Sequence, residues 1–173
     1  YDVNTFSSRD KNDNKGGAFK LVIEHNDDWK TRKDKLLQLN SAAGFEFVHQ
    51  RFKPVERLRA VEFSRDWGLP LLTNAANESL PTFSIGINDT KANSIQYNFA
   101  GYLRSDGYKG YRNIITHHHD VKGLQINDVF NITHINTPGE KGFYLRPSVD
   151  ISKKMMVLKN YSIGAAYSLE HNE

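Results

Sequence analysis

From residue 82 onward the chain alternates apolar and polar positions in six segments, 82–88, 94–104, 109–119, 124–135, 142–152 and 161–170. Phe83, Ile85 and Ile87 alternate with Ser84, Gly86 and Asn88, and Ile95, Tyr97 and Phe99 alternate with Gln96, Asn98 and Ala100. A period of two over this length predicts β-strands with one apolar and one polar face. Between them lie stretches rich in turn-forming residues: 89–93, Ser105-Asp106-Gly107, 120–123 and Thr137-Pro138-Gly139-Glu140. Connectors this short predict antiparallel hairpins, and hence an all-β, up-and-down antiparallel meander. The stretch 153–160, with Met155, Met156, Val157 and Leu158, is a longer connector suited to packing at a sheet end.

The first part of the chain is less regular. Residues 1–17 are rich in Asp, Asn, Ser and Lys and end in Gly16-Gly17, which reads as a polar loop or linker. The meander is therefore expected to occupy 18–173. Residues 18–25 place Phe19, Leu21 and Ile23 on one face, and 36–51 place Leu37, Leu39, Phe45 and Phe47 on another, so a hairpin joined by the polar connector 26–35 is expected. The stretch 52–81 departs from the pattern. Pro54 suits the first turn of a short helix carrying Val55, Leu58 and Val61, whereas 59–65 reads slightly better as a strand with Val61 and Phe63 together. Bounded by Pro70 and Pro81, the region 66–81 is the place expected for a lateral or plug-like insertion.

Strand length separates two architectures. A soluble sandwich averages about five or six residues per strand, while crossing a bilayer takes ~9–11 tilted residues. The segments here run to ten or so, and their polar faces carry Ser, Gly, Asn and Gln, as a hydrated lumen would. Tyr102, Tyr108, Tyr111, Tyr144 and Tyr161 fall near segment ends, where an aromatic girdle belongs. Two residues oppose a barrel. Asp128 shares the apolar parity of Leu124, Ile126, Phe130 and Ile132, which a bulge at Asn127-Asp128 would relieve. Pro147 lies inside its segment and cannot donate to a ladder. The connectors are also short at both ends, where barrels carry long external loops.

Composition narrows the class without identifying a function. The 173 residues are 38% hydrophobic, 25% charged and 12% aromatic, with a mean hydropathy of -0.62. No apolar run approaches the ~20 residues of a spanning helix. A net charge of +3 comes from scattered Lys and Arg, with neither a basic stripe nor a known module, so nucleic acid is not an expected partner. The densest basic stretch, 30–35, reads as a solvated loop. The absence of cysteine removes a disulfide scaffold and a thiolate zinc site. A chain that starts at Tyr1 and ends just after a strand-like segment is expected to be a piece of a longer protein.

The segments Ser94-Ile95-Gln96-Tyr97-Asn98-Phe99, Gly142-Phe143-Tyr144-Leu145-Arg146-Pro147-Ser148 and Tyr161-Ser162-Ile163-Gly164-Ala165-Ala166-Tyr167 resemble strands of large outer-membrane β-barrel proteins of Bacteroidota. The resemblance covers mainly 82–170 and lies in texture, not in a diagnostic motif. It implies an outer-membrane location, the lipid bilayer and other envelope proteins as partners, and a non-enzymatic role in transport, translocation or envelope structure. It transfers no functional residue. About nine strand candidates, against the even counts of single-chain bacterial barrels, suit a segment of a larger wall. The alternative is a soluble periplasmic or extracellular β module that binds a polymer or protein through a sheet face.

Candidate chemistry is sparse. His117 and His119 share a strand face and would hold zinc or copper if a third ligand joined them. A hairpin turn near Val121 would set His117 opposite about Gln125 and His134 opposite about Tyr108, leaving the cluster as a polar rim. Asp10, Asn12 and Asn14 offer oxygen at alternate positions, as calcium loops do, but Lys15 and Leu21 stand where an EF-hand needs glycine and an acid. A polar linker is the better description. No Gly-x-Ser-x-Gly elbow is present. Glu56, Glu62 and Asp66 are better explained by surface pairing with Arg57, Arg59 and Arg65 than by glycosidase chemistry. No catalytic residue, cofactor or metal is assigned, and no enzyme activity is expected.

Overall fold

The computed structural model describes residues 2–9, 15–31, 36–52, 67, 75–89, 93–154, 162–168 and 171–172. They form one antiparallel sheet built from strands β1 (Asp2–Arg9), β2 (Lys15–Lys30), β3 (Leu36–Val48), β4 (Glu78–Asp89), β5 (Ser94–Arg104), β6 (Lys109–Val121), β7 (Leu124–Thr137), β8 (Glu140–Lys154), β9 (Ser162–Ser168) and β10 (His171–Asn172). Spatial order follows chain order from β1 to β8, and both β9 and β10 pair with β8. The meander expected from the alternation is therefore the architecture found. Among the described residues β1 pairs with β2 and not with β9 or β10, so the sheet is open.

Several boundaries differ from the sequence expectation. Asp2–Arg9 pairs with 15–22 as a strand, although 1–17 reads as a polar loop. Its polar residues gain ladder hydrogen bonds from β2, a tertiary contribution that local composition does not reveal. For the same reason β2 continues through Asn26, Asp27 and Asp28 to Lys30, paired residue for residue with β3, where a connector is expected at 26–35. Strand β4 starts at Glu78, so the last four positions of the expected insertion 66–81 belong to the sheet. The helix-or-strand question at 59–65 lies outside the described residues.

Sequence chemistry sets the turns. Lys122 (φ 53°) and Gly123 (φ 80°) form a two-residue hairpin with both residues left-handed, the type I′ geometry that matches strand twist. Pro138-Gly139 closes the next hairpin, with Gly139 at φ 109° in the position that favours glycine after proline. At Ser105-Asp106-Gly107 the Gly107 N–H donates to the Arg104 carbonyl and the Arg104 N–H to the Tyr108 carbonyl, with Gly107 at φ 97°.

Both strand prolines face an unbroken ladder on one side. Pro81 faces Phe45 across an unbroken β3 ladder, while pairing with β5 stops at Ser79↔Leu103 and resumes at Thr82↔Ala100 in the same register. Gly101 lies in that gap, and a Cβ there would meet Pro81 Cγ at 3.0 Å. Pro147 likewise faces Phe130 in an unbroken β7 ladder. Pro81 thus sits where one flank of its ladder is interrupted, so no partner carbonyl waits for the missing N–H.

Candidate functional site: the two faces of the sheet

Residues paired across an antiparallel ladder lie on the same face, so the register assigns every described side chain to one of two surfaces. Sixteen large hydrophobics are exposed among the described residues: Phe19, Ile23, Trp29, Phe45, Phe83, Ile85, Ile87, Ile95, Tyr111, Ile115, Val121, Phe130, Phe143, Val149, Ile151 and Tyr167. The register puts all of them on one face, through links such as Phe83↔Phe99, Ile85↔Tyr97↔Ile115↔Phe130 and Val149↔Tyr167. The buried strand hydrophobics Ala18, Val48, Tyr102 and Ile135 lie on the other. This distribution is inside-out relative to a soluble domain. Sixteen side chains at roughly two-fifths exposure leave on the order of 1,000 Å² of apolar surface, beyond the few hundred typical of soluble monomers.

The apolar band is tall as well as wide. On β5 it runs from Ile95 to Leu103, about 27 Å along the strand. Its polar members pair within the same face, across strands or along one. His117 Nδ1 lies 3.1 Å from Asp128 Oδ2, one strand across. Tyr97 Oη donates to Asn113 Oδ1 at 2.7 Å, and the Trp29 indole N–H donates to Asp27 Oδ2 at 2.8 Å. An unpaired polar group on a dehydrated surface costs several kcal/mol (~2–7 for an amide or hydroxyl), and each of these contacts reduces that cost.

The expected relief of Asp128 by a bulge is not what the structure does. Pairing is continuous from Val121↔Leu124 to Lys109↔Asn136, and Asp128 keeps its place on the apolar face opposite His117. The expected partners, Gln125 for His117 and Tyr108 for His134, are replaced by Asp128 and Tyr111. The turn is centred on Lys122-Gly123 instead of near Val121, which slides the register by three positions. His117 and His119 do share a face, with rings stacked at 5.8 Å and 18°. Among the described residues no group of three His, Asp or Glu side chains converges on a metal position. Asp10, Asn12 and Asn14 lie outside the described residues, as do Glu56, Glu62, Asp66 and their arginines.

The opposite face is polar and divided. Two adjoining hollows open on it, one at mid-sheet and one nearer the 89–93 turn. The mid-sheet one, of about 270 Å³, has a mainly apolar lining, with Val22, Ala42, Ala100 and Ile114 beside Thr82, Ser84, Asn98 and Arg112. The second, of about 240 Å³, adds Glu24, Asn26, Asn40, Asn88 and Gln96. The half nearer the Ser105-Asp106-Gly107 turn is dry. There Trp67, Tyr102, Tyr108 and Ile135 form a buried cluster, with Leu80, Ala100 and Tyr144 against it. Trp67 is 2% exposed and Tyr102 1%. Their rings lie 5.7 Å apart, the Tyr108 hydroxyl donates to the Trp67 carbonyl, and the Arg112 guanidinium stacks 4.8 Å from the indole centroid. Tyr102, Tyr108 and Tyr144 thus belong to a packed cluster on the polar face, while Tyr111 lies on the apolar face; Tyr161 lies outside the described residues.

Charge at this end is paired. Arg104, buried, meets Asp106 at 2.8 Å and Glu78 at 3.7 Å. The Arg104 hydrogen bond holds the Asp106 carboxyl below its usual range, and burial pushes the Tyr108 phenol well above its own. Asn77 ties the end together: its side chain accepts from the Gln50 N–H at 2.8 Å, and its N–H donates to Ser105 Oγ at 3.0 Å. Sequence reasoning missed Asn77, Glu78 and Arg104 because each acts through partners far away in the chain. The signal for Trp67 was its setting, an aromatic in an otherwise unpatterned stretch.

The fold and its surfaces define an open antiparallel meander with one apolar and one polar face. Family models, curated proteins and solved structures yield no match to this chain.

Proposed function

We propose that the chain is a wall segment of an outer-membrane β-barrel, with a non-enzymatic part in transport, translocation or envelope structure. The observation that carries this is the placement of all sixteen exposed large hydrophobics on one face. Lipid is the solvent in which such a surface is stable, and strands of 11 to 16 residues from β2 to β8 are long enough to cross it. Sideways pairing of His117 with Asp128 and of Tyr97 with Asn113 fits a surface without water to satisfy them. Strands joined to β1 and β9 would complete the wall, since open edges are not tolerated in hydrocarbon.

The test reads the two faces separately. In a Trp29→Phe background, Ile85→Trp and Ser84→Trp place a reporter on the apolar and polar face respectively. In vesicles of bromine-labelled lipid, added quenching is expected for Ile85→Trp and not for Ser84→Trp. Equal quenching of both, or a monodisperse detergent-free chain, would instead favour a soluble module whose sheet face binds a polymer or protein.

A further inference from the structure

The polar face changes character along its strands. Toward the 89–93 turn it is hollowed and lined with amides, hydroxyls and Glu24. Toward the Ser105-Asp106-Gly107 turn it carries the largest buried aromatic cluster among the described residues. A water-filled passage would keep polar side chains along its whole length. Here one half is wet and the other is closed by ring packing.

We propose that the interior on this side is a vestibule closed at one end, with Trp67 as its stopper. The inference rests on the reading of the polar face as a barrel interior. Trp67 belongs to none of the sheet strands, yet it lies on the sheet, enclosed from three sides. Tyr102 on β5 packs against its ring, Tyr108 binds its carbonyl, and Arg112 on β6 stacks over it. Below it the strand is bare by design of sequence: a Cβ on Gly110 would meet Trp67 Cε3 at 2.7 Å and Cζ3 at 2.8 Å. Only glycine lets the indole lie this close to β6. Arg112 also lines the mid-sheet hollow, so the stopper adjoins the open space of this face. A buried aromatic plug of this kind blocks water and small solutes by steric exclusion and dewetting. Solute in the hollows would therefore reach the far side only by displacing Trp67.

Two measurements on the full chain test this. In the Trp29→Phe variant Trp67 is the sole tryptophan, and its emission should resist acrylamide; the converse Trp67→Phe variant should report a Trp29 quenched several-fold more strongly. In proteoliposomes of the complete barrel that contains this wall, the unaltered sequence should hold an entrapped small dye, and Trp67→Ala should release it several-fold faster. Gly110→Val leaves the indole in the chain but pushes it off β6, and should leak like Trp67→Ala even where the alanine variant folds poorly. Ready acrylamide quenching of Trp67 overturns the proposal, as does equal dye release by all variants. Insertion is read independently by the Ile85→Trp lipid quenching. If that fails, the vestibule falls with the membrane assignment, and a protected Trp67 then reports only a packed aromatic cluster; if it holds while Trp67 is readily quenched, the stopper alone is overturned.

Discussion

His117 and Asp128 face each other across β6 and β7 on the apolar surface, with Nδ1 and Oδ2 3.1 Å apart. Both side chains are close to two-fifths exposed. In water, solvent screening limits such a pair to ~0.2–1 kcal/mol. In lipid the alternative is an unsatisfied polar group in hydrocarbon, and side-chain hydrogen bonds there are worth ~0.6–2 kcal/mol. A double-mutant cycle with His117→Phe and Asp128→Leu therefore locates the face. Coupling is expected near the upper range in bilayers. A value near zero there would mean that water reaches the pair.

The aromatic cluster should be costly to open. Tyr108→Phe removes the hydroxyl that donates to the Trp67 carbonyl and is expected to cost ~0.5–1.5 kcal/mol by denaturant titration. Trp67→Ala removes the ring as well and should cost ~3–5 kcal/mol. A much smaller loss for the tryptophan would show that its packing adds little to stability.

Alkali should loosen the same region. Burial raises the folded-state value of Tyr108, so its stabilisation is intact below the ordinary tyrosine range and declines above about pH 10. Tyr108→Phe should flatten that alkaline limb, as followed by thermal unfolding against pH.

Asp106 acts in the opposite direction. Its folded value is lowered by the Arg104 hydrogen bond, so its contribution is complete above the ordinary aspartate value of about 3.9 and fades as pH falls through the lowered one. Partial exposure keeps the effect small. Asp106→Asn should reduce the acid-side loss in melting temperature, and an unchanged acid limb would assign that loss to other carboxylates.

The hairpins give a local test. Lys122 holds φ 53°, a conformation that Asn tolerates better, so Lys122→Asn should stabilise by up to about 1 kcal/mol. Gly139→Ala should cost ~1–2 kcal/mol at φ 109°, even though open space surrounds its Cβ position. Equal stability of the two variants would mean that these turns are not formed as described.

Much of the sheet was legible in the residues. Alternation such as Phe83-Ser84-Ile85-Gly86-Ile87 specifies a strand with unlike faces, and Asp106-Gly107 and Pro138-Gly139 mark the turns between strands. Both are local properties, set by the period-two pleat and by backbone conformations that glycine and proline favour. Register was not local. Placing the β6–β7 turn at Lys122-Gly123 moved His117 from Gln125 to Asp128 and turned an apparent defect into a paired group. Strand β1 and the end of β2, mostly polar, exist because a neighbouring ladder satisfies their backbone. The dry end of the polar face depended on tertiary structure most of all. Trp67 meets Tyr102, Tyr108 and Gly110 of the β5–β6 hairpin there from a separate part of the chain, and no periodicity within any one segment encodes that contact. The sequence by itself determined which residues alternate and where the chain turns, while only the tertiary structure decided which face each residue shares and with whom, because pairing across strands is a property of the whole sheet.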